Sequence, residues 1–254
     1  TAREYFDTAT SPLNPGNKDF GFFVYGTLPV FIVRYAGEWT GQVGYDLNTL
    51  LGRTISAVMD TITILLTFFI AKKLFNRWVG LIAAALYAFA VLPIQLAHFM
   101  TVDSFTNTFG MLTVLIAVVI LKRPLLPTGV GMGKAKRAWY ALWPYLAFGA
   151  ALGMATASKI NAIALALLLP MVEGVRYFKL EDEEKQQAFL PMISRIGIAA
   201  VMSVVVFRIC QPYAFDGPGF FNFSINQNWW QSMQSLQAQS TGEVDFPPAL
   251  QWAR

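Results

Sequence analysis

The sequence predicts an all-α, polytopic integral membrane bundle. Six apolar stretches run close to bilayer length. Every second linker between them is crowded with Lys and Arg. Only 13% of residues are charged, against about 25% in ordinary soluble domains. A large soluble helical core is the alternative, but its apolar residues would recur at amphipathic spacing, not in runs.

Residues 1–49 are polar and aromatic, with turn signals in Ser11-Pro12-Leu13-Asn14-Pro15-Gly16-Asn17. The first span is expected over 50–75, ending in Lys72, Lys73 and then Arg77. The second covers 79–97, and Pro93 should kink it. A short linker, 98–104, leads to a third span over 105–121. A basic linker follows, with Lys122, Arg123, Lys134, Lys136 and Arg137. The fourth span covers 139–158, with Lys159 and Asn161 at the turn into the fifth, 162–178. A charged linker, 180–185, precedes the sixth span, 193–210. The sequence thus divides into an outer segment 1–49, a bundle 50–210 and a second outer segment 211–254.

The charge pattern orients these spans. One face receives twelve of the Lys and Arg residues, and the other receives seven over much more sequence. The positive-inside rule makes the first face cytoplasmic. Both long polar segments, the 98–104 linker and Lys159 then lie outside. With both visible ends outside, at least one helix is expected to precede Thr1. The expected location is the inner membrane.

Composition also excludes. Cys210 is the only cysteine and His98 the only histidine. An internal disulfide, a cysteine-zinc cluster and a multi-histidine metal site are ruled out. The net charge of +4 fits cytoplasmic loops facing anionic lipid, not nucleic-acid binding.

The sharpest chemical signal is His98-Phe99-Met100-Thr101-Val102-Asp103-Ser104-Phe105. A carboxylate in a tight linker before a span suits a divalent cation or a sugar phosphate. It equally suits a helix N-cap. Lys159, in Ala157-Ser158-Lys159-Ile160-Asn161, suits an anionic phosphate or a snorkelling interfacial lysine. Arg53 and Asp60 share a face of the first span, and Asp60 should pair with another span or line a pathway. Glu173 and Arg176 read as a local i,i+3 ion pair. Gly149, Gly153 and Ala157 make a small-residue stripe for close helix contact.

Gly129 to Lys134 fails the phosphate-loop spacing, and Ala135 replaces the required Ser or Thr. It reads as a flexible linker. Tyr25, Trp39, Tyr45, Tyr213, Phe215, Trp229, Trp230 and Trp252 stand among Asn226, Gln227, Gln231 and Asp245. Such aromatics and amides suit sugar faces, or an interfacial aromatic belt.

Ser11-Pro12-Leu13-Asn14-Pro15-Gly16-Asn17, followed by Phe22-Phe23-Val24-Tyr25-Gly26-Thr27-Leu28-Pro29, resembles the first outer loop of bacterial membrane glycosyltransferases of the protein-mannosyltransferase-like kind. That group includes glycosyltransferase family 39 and the lipid A aminoarabinose transferases. Gly52-Arg53, opening a span that ends Ala71-Lys72-Lys73-Leu74-Phe75, is similar to their next helix. An Ala-rich helix, the His98 to Asp103 linker and a Gly/Ala-rich helix ending Ser158-Lys159 follow in the same order. The resemblance covers roughly residues 11 to 215.

The resemblance implies a GT-C fold, a polyprenyl-phosphate-linked sugar donor, and inversion at the sugar on the outer membrane face. It implies a catalytic base in an Asp-Glu pair after the family's first helix. Glu4 and Asp7 do not have that context, so the pair is expected upstream of Thr1. Asp103 matches a second acid that binds donor phosphate or a divalent cation (Mg, Mn or Zn). Lys159 matches a basic position near the carrier phosphate; Lys159 and Arg53 are the expected donor-phosphate contacts. His98, Tyr25, Tyr213 and Trp229 are the expected substrate contacts. The alternative is a non-catalytic membrane subunit packed against partners in a larger complex. A small-solute transporter ranks last, because no paired interrupted helices are visible.

Overall fold

A computed structural model describes residues 2–18, 22–124 and 133–241. The linker residues Gly129 and Gly131, and Asp245 and Trp252, lie outside the described residues. Among the described residues there is no β-strand, only an isolated antiparallel bridge between Phe215 and Ile225. Two compact units separate: Thr1–Tyr25 with Gln211–Arg254, and Gly26–Cys210.

The larger unit holds the long helices. In chain order, after a one-turn α1 (Ala2–Tyr5) in the other unit, they are α2 (Thr27–Thr40), α3 (Tyr45–Leu74), α4 (Arg77–Ala88), α5 (Val91–Ala97), α6 (Val102–Leu121), α7 (Lys134–Ser158), α8 (Leu168–Phe178) and α9 (Asp182–Cys210). Asp46–Leu74, Val102–Leu121, Ile160–Phe178 and Asp182–Cys210 are long and apolar enough to cross a membrane. Arg77–Ala88 and Val91–Ala97, bent by 59°, add a fifth if the pair is one span.

The bend follows from Pro93. A proline ring clashes with the carbonyl four residues earlier and removes its hydrogen bond. That carbonyl belongs to Phe89, where α4 ends. The segment after α7 solves a different length problem. Residues Ile160–Leu167 wind as a 3-10 helix before α8 begins. At about 2.0 Å per residue there, and about 1.5 Å in α8, the 19 residues Ile160–Phe178 reach about 32 Å. That matches a hydrocarbon core of about 30 Å.

α7 is not among the membrane-capable helices by composition, and its packing gives the reason. It carries Trp139, Tyr140, Trp143 and Pro144 in its first half and small residues in its second. It packs against α6 and α9. The core lies around it: Ile116, Ala117 and Ile120 of α6, Tyr145, Phe148, Ala151 and Leu152 of α7, Leu169 of α8 and Ala199 of α9. A helix covered by protein needs less apolar side chain than one facing lipid. The expected stripe supplies the contact with α9. A Cβ at Gly149 would overlap the Ala199 carbonyl oxygen, and one at Gly153 would sit 2.7 Å from that of Ser203.

Hydroxyls fix the register of α3 against α6. Thr108 Oγ1 donates to the Met59 carbonyl at 2.8 Å and lies 2.9 Å from Thr63 Oγ1. Asp60 of α3 accepts from the Tyr87 hydroxyl of α4 at 3.0 Å, so this acid does pair with another helix.

Basic residues collect at one set of helix ends: Lys72 and Lys73 close α3, Arg77 opens α4, Lys122 caps α6, and Arg176 closes α8. A cation at a helix start opposes the helix dipole, so Arg77 is not there for helix stability. Arg123 stacks over Tyr140 and Trp143, 4.6 and 4.7 Å from the ring centroids. The Glu173–Arg176 pair is more than local. Arg176 Nη1 contacts Glu173 Oε1 and donates to the Tyr145 hydroxyl at 2.9 Å. Its Nε and Nη2 reach the Arg123 and Pro124 carbonyls at 3.2 and 2.9 Å. Tyr145 donates to Glu173 Oε1 at 2.7 Å. One network thereby joins α7 and α8 to the residues that follow α6.

The smaller unit contains α1, short 3-10 turns at Pro15–Lys18 and Pro212–Ala214, and α10 (Gln227–Thr241). Side-chain amides replace regular backbone pairing. Asn14 Nδ2 donates to Thr8 O at 2.7 Å, and Asn17 Nδ2 reaches the carbonyls of Thr8, Ala9 and Ser11. Thr8 Oγ1 donates to Phe215 O at 2.6 Å. This is the local work of the Asn-Pro-Gly-Asn turn.

Candidate functional site

Four contacts gather one set of helix ends in the larger unit. Asp103, in the first turn of α6, accepts from Lys159 Nζ at 2.7 Å. Gly26, the residue before α2, donates its backbone N–H to Ser158 O at 3.0 Å. Thr27 Oγ1 donates to Cys210 O at 2.7 Å. Met100 lies over Gly52 of α3, where an added Cβ would sit 2.8 Å from Met100 Cγ. The start of α6 and the ends of α7 and α9 are therefore tied together, with the 98–101 linker seated on α3.

The Asp103–Lys159 pair is the chemical centre of this cluster. The side chains are 35% and 38% exposed, so the pair is reachable. The N-cap reading of Asp103 does not hold. The cap residue of α6 is Thr101, whose side chain makes no capping bond, and the Asp103 carboxylate is directed to Lys159. Thr101 Oγ1 is buried without a hydrogen-bond partner, as is Ser56 Oγ of α3. Lys159 interrupts α7 with extended backbone angles, φ −154° and ψ 123°. Its helix stops there because the peptide turns away, and the 3-10 segment begins at Ile160.

The remaining expected residues fall in two groups. Arg53 is exposed on α3, next to Gly52. His98 is exposed at the end of α5, with Nδ1 2.7 Å from Ile94 O. Tyr25, Tyr213 and Trp229 belong to the smaller unit. Tyr25 is 53% exposed. Tyr213 is buried and shares a hydrogen bond of 2.8 Å with Ser11. Trp229 is half-buried in α10.

A divalent cation needs several oxygen or nitrogen ligands. Among the described residues no group of three or more His, Cys, Asp or Glu side chains converges. Asp103 faces an ammonium.

Sequence inspection missed Gly26 and Thr27 as parts of this cluster. The available signal was Gly26-Thr27-Leu28-Pro29: a proline in a first helical turn is tolerated because its missing N–H would be unpaired there.

No curated protein and no solved structure matches the chain. A family model does, that of the dolichyl-phosphate-mannose-protein mannosyltransferases, over residues 23–213. The match takes in α2 to α9 with both Asp103 and Lys159, and leaves out the Ser11–Asn17 turn. The chain belongs to this family, and is a membrane glycosyltransferase of the GT-C kind that draws on a polyprenyl-phosphate-linked sugar.

Proposed function

We propose that the chain transfers a sugar from polyprenyl phosphate to an acceptor with inversion, at the outer membrane face, using the Asp103–Lys159 end of the bundle. The observation that carries this reading is the reachable ion pair joining two helix ends inside the family match. The basic residues at the opposite helix ends support an orientation with that pair outside. α7, packed against α6 and α9, is the sixth span.

In this reading Lys159 exchanges its carboxylate partner for a phosphate oxygen of the arriving donor. The acceptor oxygen or amine forms a bond to the anomeric carbon as the carbon–phosphate-oxygen bond breaks. A single in-line displacement inverts that carbon. The proton goes to a carboxylate base, and the bonding pair leaves on polyprenyl phosphate. Lys159 offsets the charge that grows on that leaving group. Arg53, exposed near the Met100 linker, adds a second cation. Asp103 holds Lys159 aimed between turnovers. His98 contacts sugar or acceptor.

The test is transfer of a radiolabelled sugar from polyprenyl phosphate in membranes containing the full-length protein. Asp103→Asn and Lys159→Gln should lose transfer while accumulating normally. Undiminished turnover in either variant removes that residue from the site.

A further inference from the structure

The end of α7 that carries Lys159 is held from outside the helix as well as from within it. The last carbonyls of a helix have no partner within it. In α7 one of them, Ser158 O, is taken by the Gly26 N–H. The approach is so close that a Cβ at Gly26 would overlap Ala157 O and lie 2.6 Å from Ser158 O. Only a glycine brings a backbone this near. The next residue, Thr27, reaches the end of α9 through Oγ1 and Cys210 O. Two consecutive residues thus clamp the ends of two helices.

The clamp acts on the peptide that carries Lys159. Ser158 and Thr27 are both buried. The backbone leaves α7 at Lys159 and continues into a 3-10 helix, whose Ala162 N–H bonds Lys159 O at 3.0 Å. The Lys159 backbone is therefore held by its own N–H on Ala155 O at 3.0 Å, by Gly26 on Ser158, and by the 3-10 turn. The side chain then spans to Asp103 across 56 positions of sequence. With the Ser158 carbonyl released, α7 is free to wind further and rotate Lys159 about its axis, since each added residue turns a helix by about 100°.

We propose that Gly26 and Thr27 are positioning residues for Lys159, setting the direction in which its ammonium is presented. This rests on the Asp103–Lys159 reading above for its functional meaning, but not for its test.

The test is amine labelling of the full-length protein in membranes, with labelled lysines resolved by mass spectrometry. Asp103→Asn defines the unpaired state of Lys159. Gly26→Ala and Thr27→Val should each raise Lys159 labelling by about three- to fivefold, as loss of a half-exposed ion pair would. Other lysines serve as internal controls, and Thr27→Ser should restore the wild-type value. Thr27→Val preserves shape, so it decides the matter if Gly26→Ala does not accumulate. Wild-type labelling of Lys159 in Thr27→Val overturns the proposal, as does a raised value that Thr27→Ser fails to restore. The labelling does not depend on sugar transfer, so an inactive wild-type protein would count against the function and not against the clamp.

Discussion

Lys159 Nζ stands 2.7 Å from Asp103 Oδ1, joining the end of α7 to the start of α6. Each side chain is more than a third exposed, and exposed pairs contribute only about 0–1 kcal/mol. This pair is a poor stabiliser and a good candidate for chemistry. Lys159→Gln should leave thermal unfolding in detergent within about 1 kcal/mol of wild type. It should lower sugar transfer about hundredfold or more, the usual effect of losing a donor to developing negative charge.

The buried pair at the opposite helix ends should behave the other way. Glu173 is fully buried and Arg176 nearly so, and both bond Tyr145. Glu173→Gln strands a buried guanidinium, which costs about 3–5 kcal/mol. Tyr145→Phe removes one shared partner and should cost about 1–3 kcal/mol. Chemical unfolding of both variants in detergent, followed by circular dichroism, checks the order.

Glycines in the helices separate by what surrounds them. Gly153→Ala introduces a Cβ 2.7 Å from Ser203 O and 2.8 Å from Val206 Cβ. It should spread α7 from α9 and destabilise the bundle. Gly174→Ala, with nothing within 4 Å, should stabilise α8 by about 0.5–1 kcal/mol through helix propensity alone. Melting temperatures of the two variants should therefore move in opposite directions.

Tyr87→Phe removes the hydroxyl that Asp60 accepts from. A half-buried acid that loses its donor costs about 1–3 kcal/mol. The loss should appear as a lower melting temperature with transfer by the surviving protein unchanged, because Asp60 lies about two turns deeper in α3 than Gly52.

The long elements were legible because apolar runs and basic linkers repeat over the whole chain. Pro93 foretold a break, and its position relative to Phe89 follows from the proline ring. The Gly149 and Gly153 stripe was legible because four-residue spacing keeps one helix face. Asp103 and Lys159 could be singled out individually, but not as partners. They are 56 positions apart, and that number carries no distance. α2 was hidden inside a segment read as polar and aromatic, since its apolar run Leu28-Pro29-Val30-Phe31-Ile32-Val33 is far shorter than the roughly 20 residues that mark a span. The Tyr145 link to Glu173 was invisible for the same reason as the Asp103 pair: helices meet by packing, not by sequence spacing.

The central claim is that Asp103 and Lys159 act on the donor and not merely on each other. The most direct measurement is sugar transfer from polyprenyl phosphate by the exchanged double variant, Asp103→Lys with Lys159→Asp, in membranes where it accumulates like wild type. The exchange rebuilds an ion pair but moves the ammonium to α6. Transfer at the background of the single variants is the result predicted here. Recovery to near the wild-type rate would mean that the pair only fastens two helices, and would contradict the account.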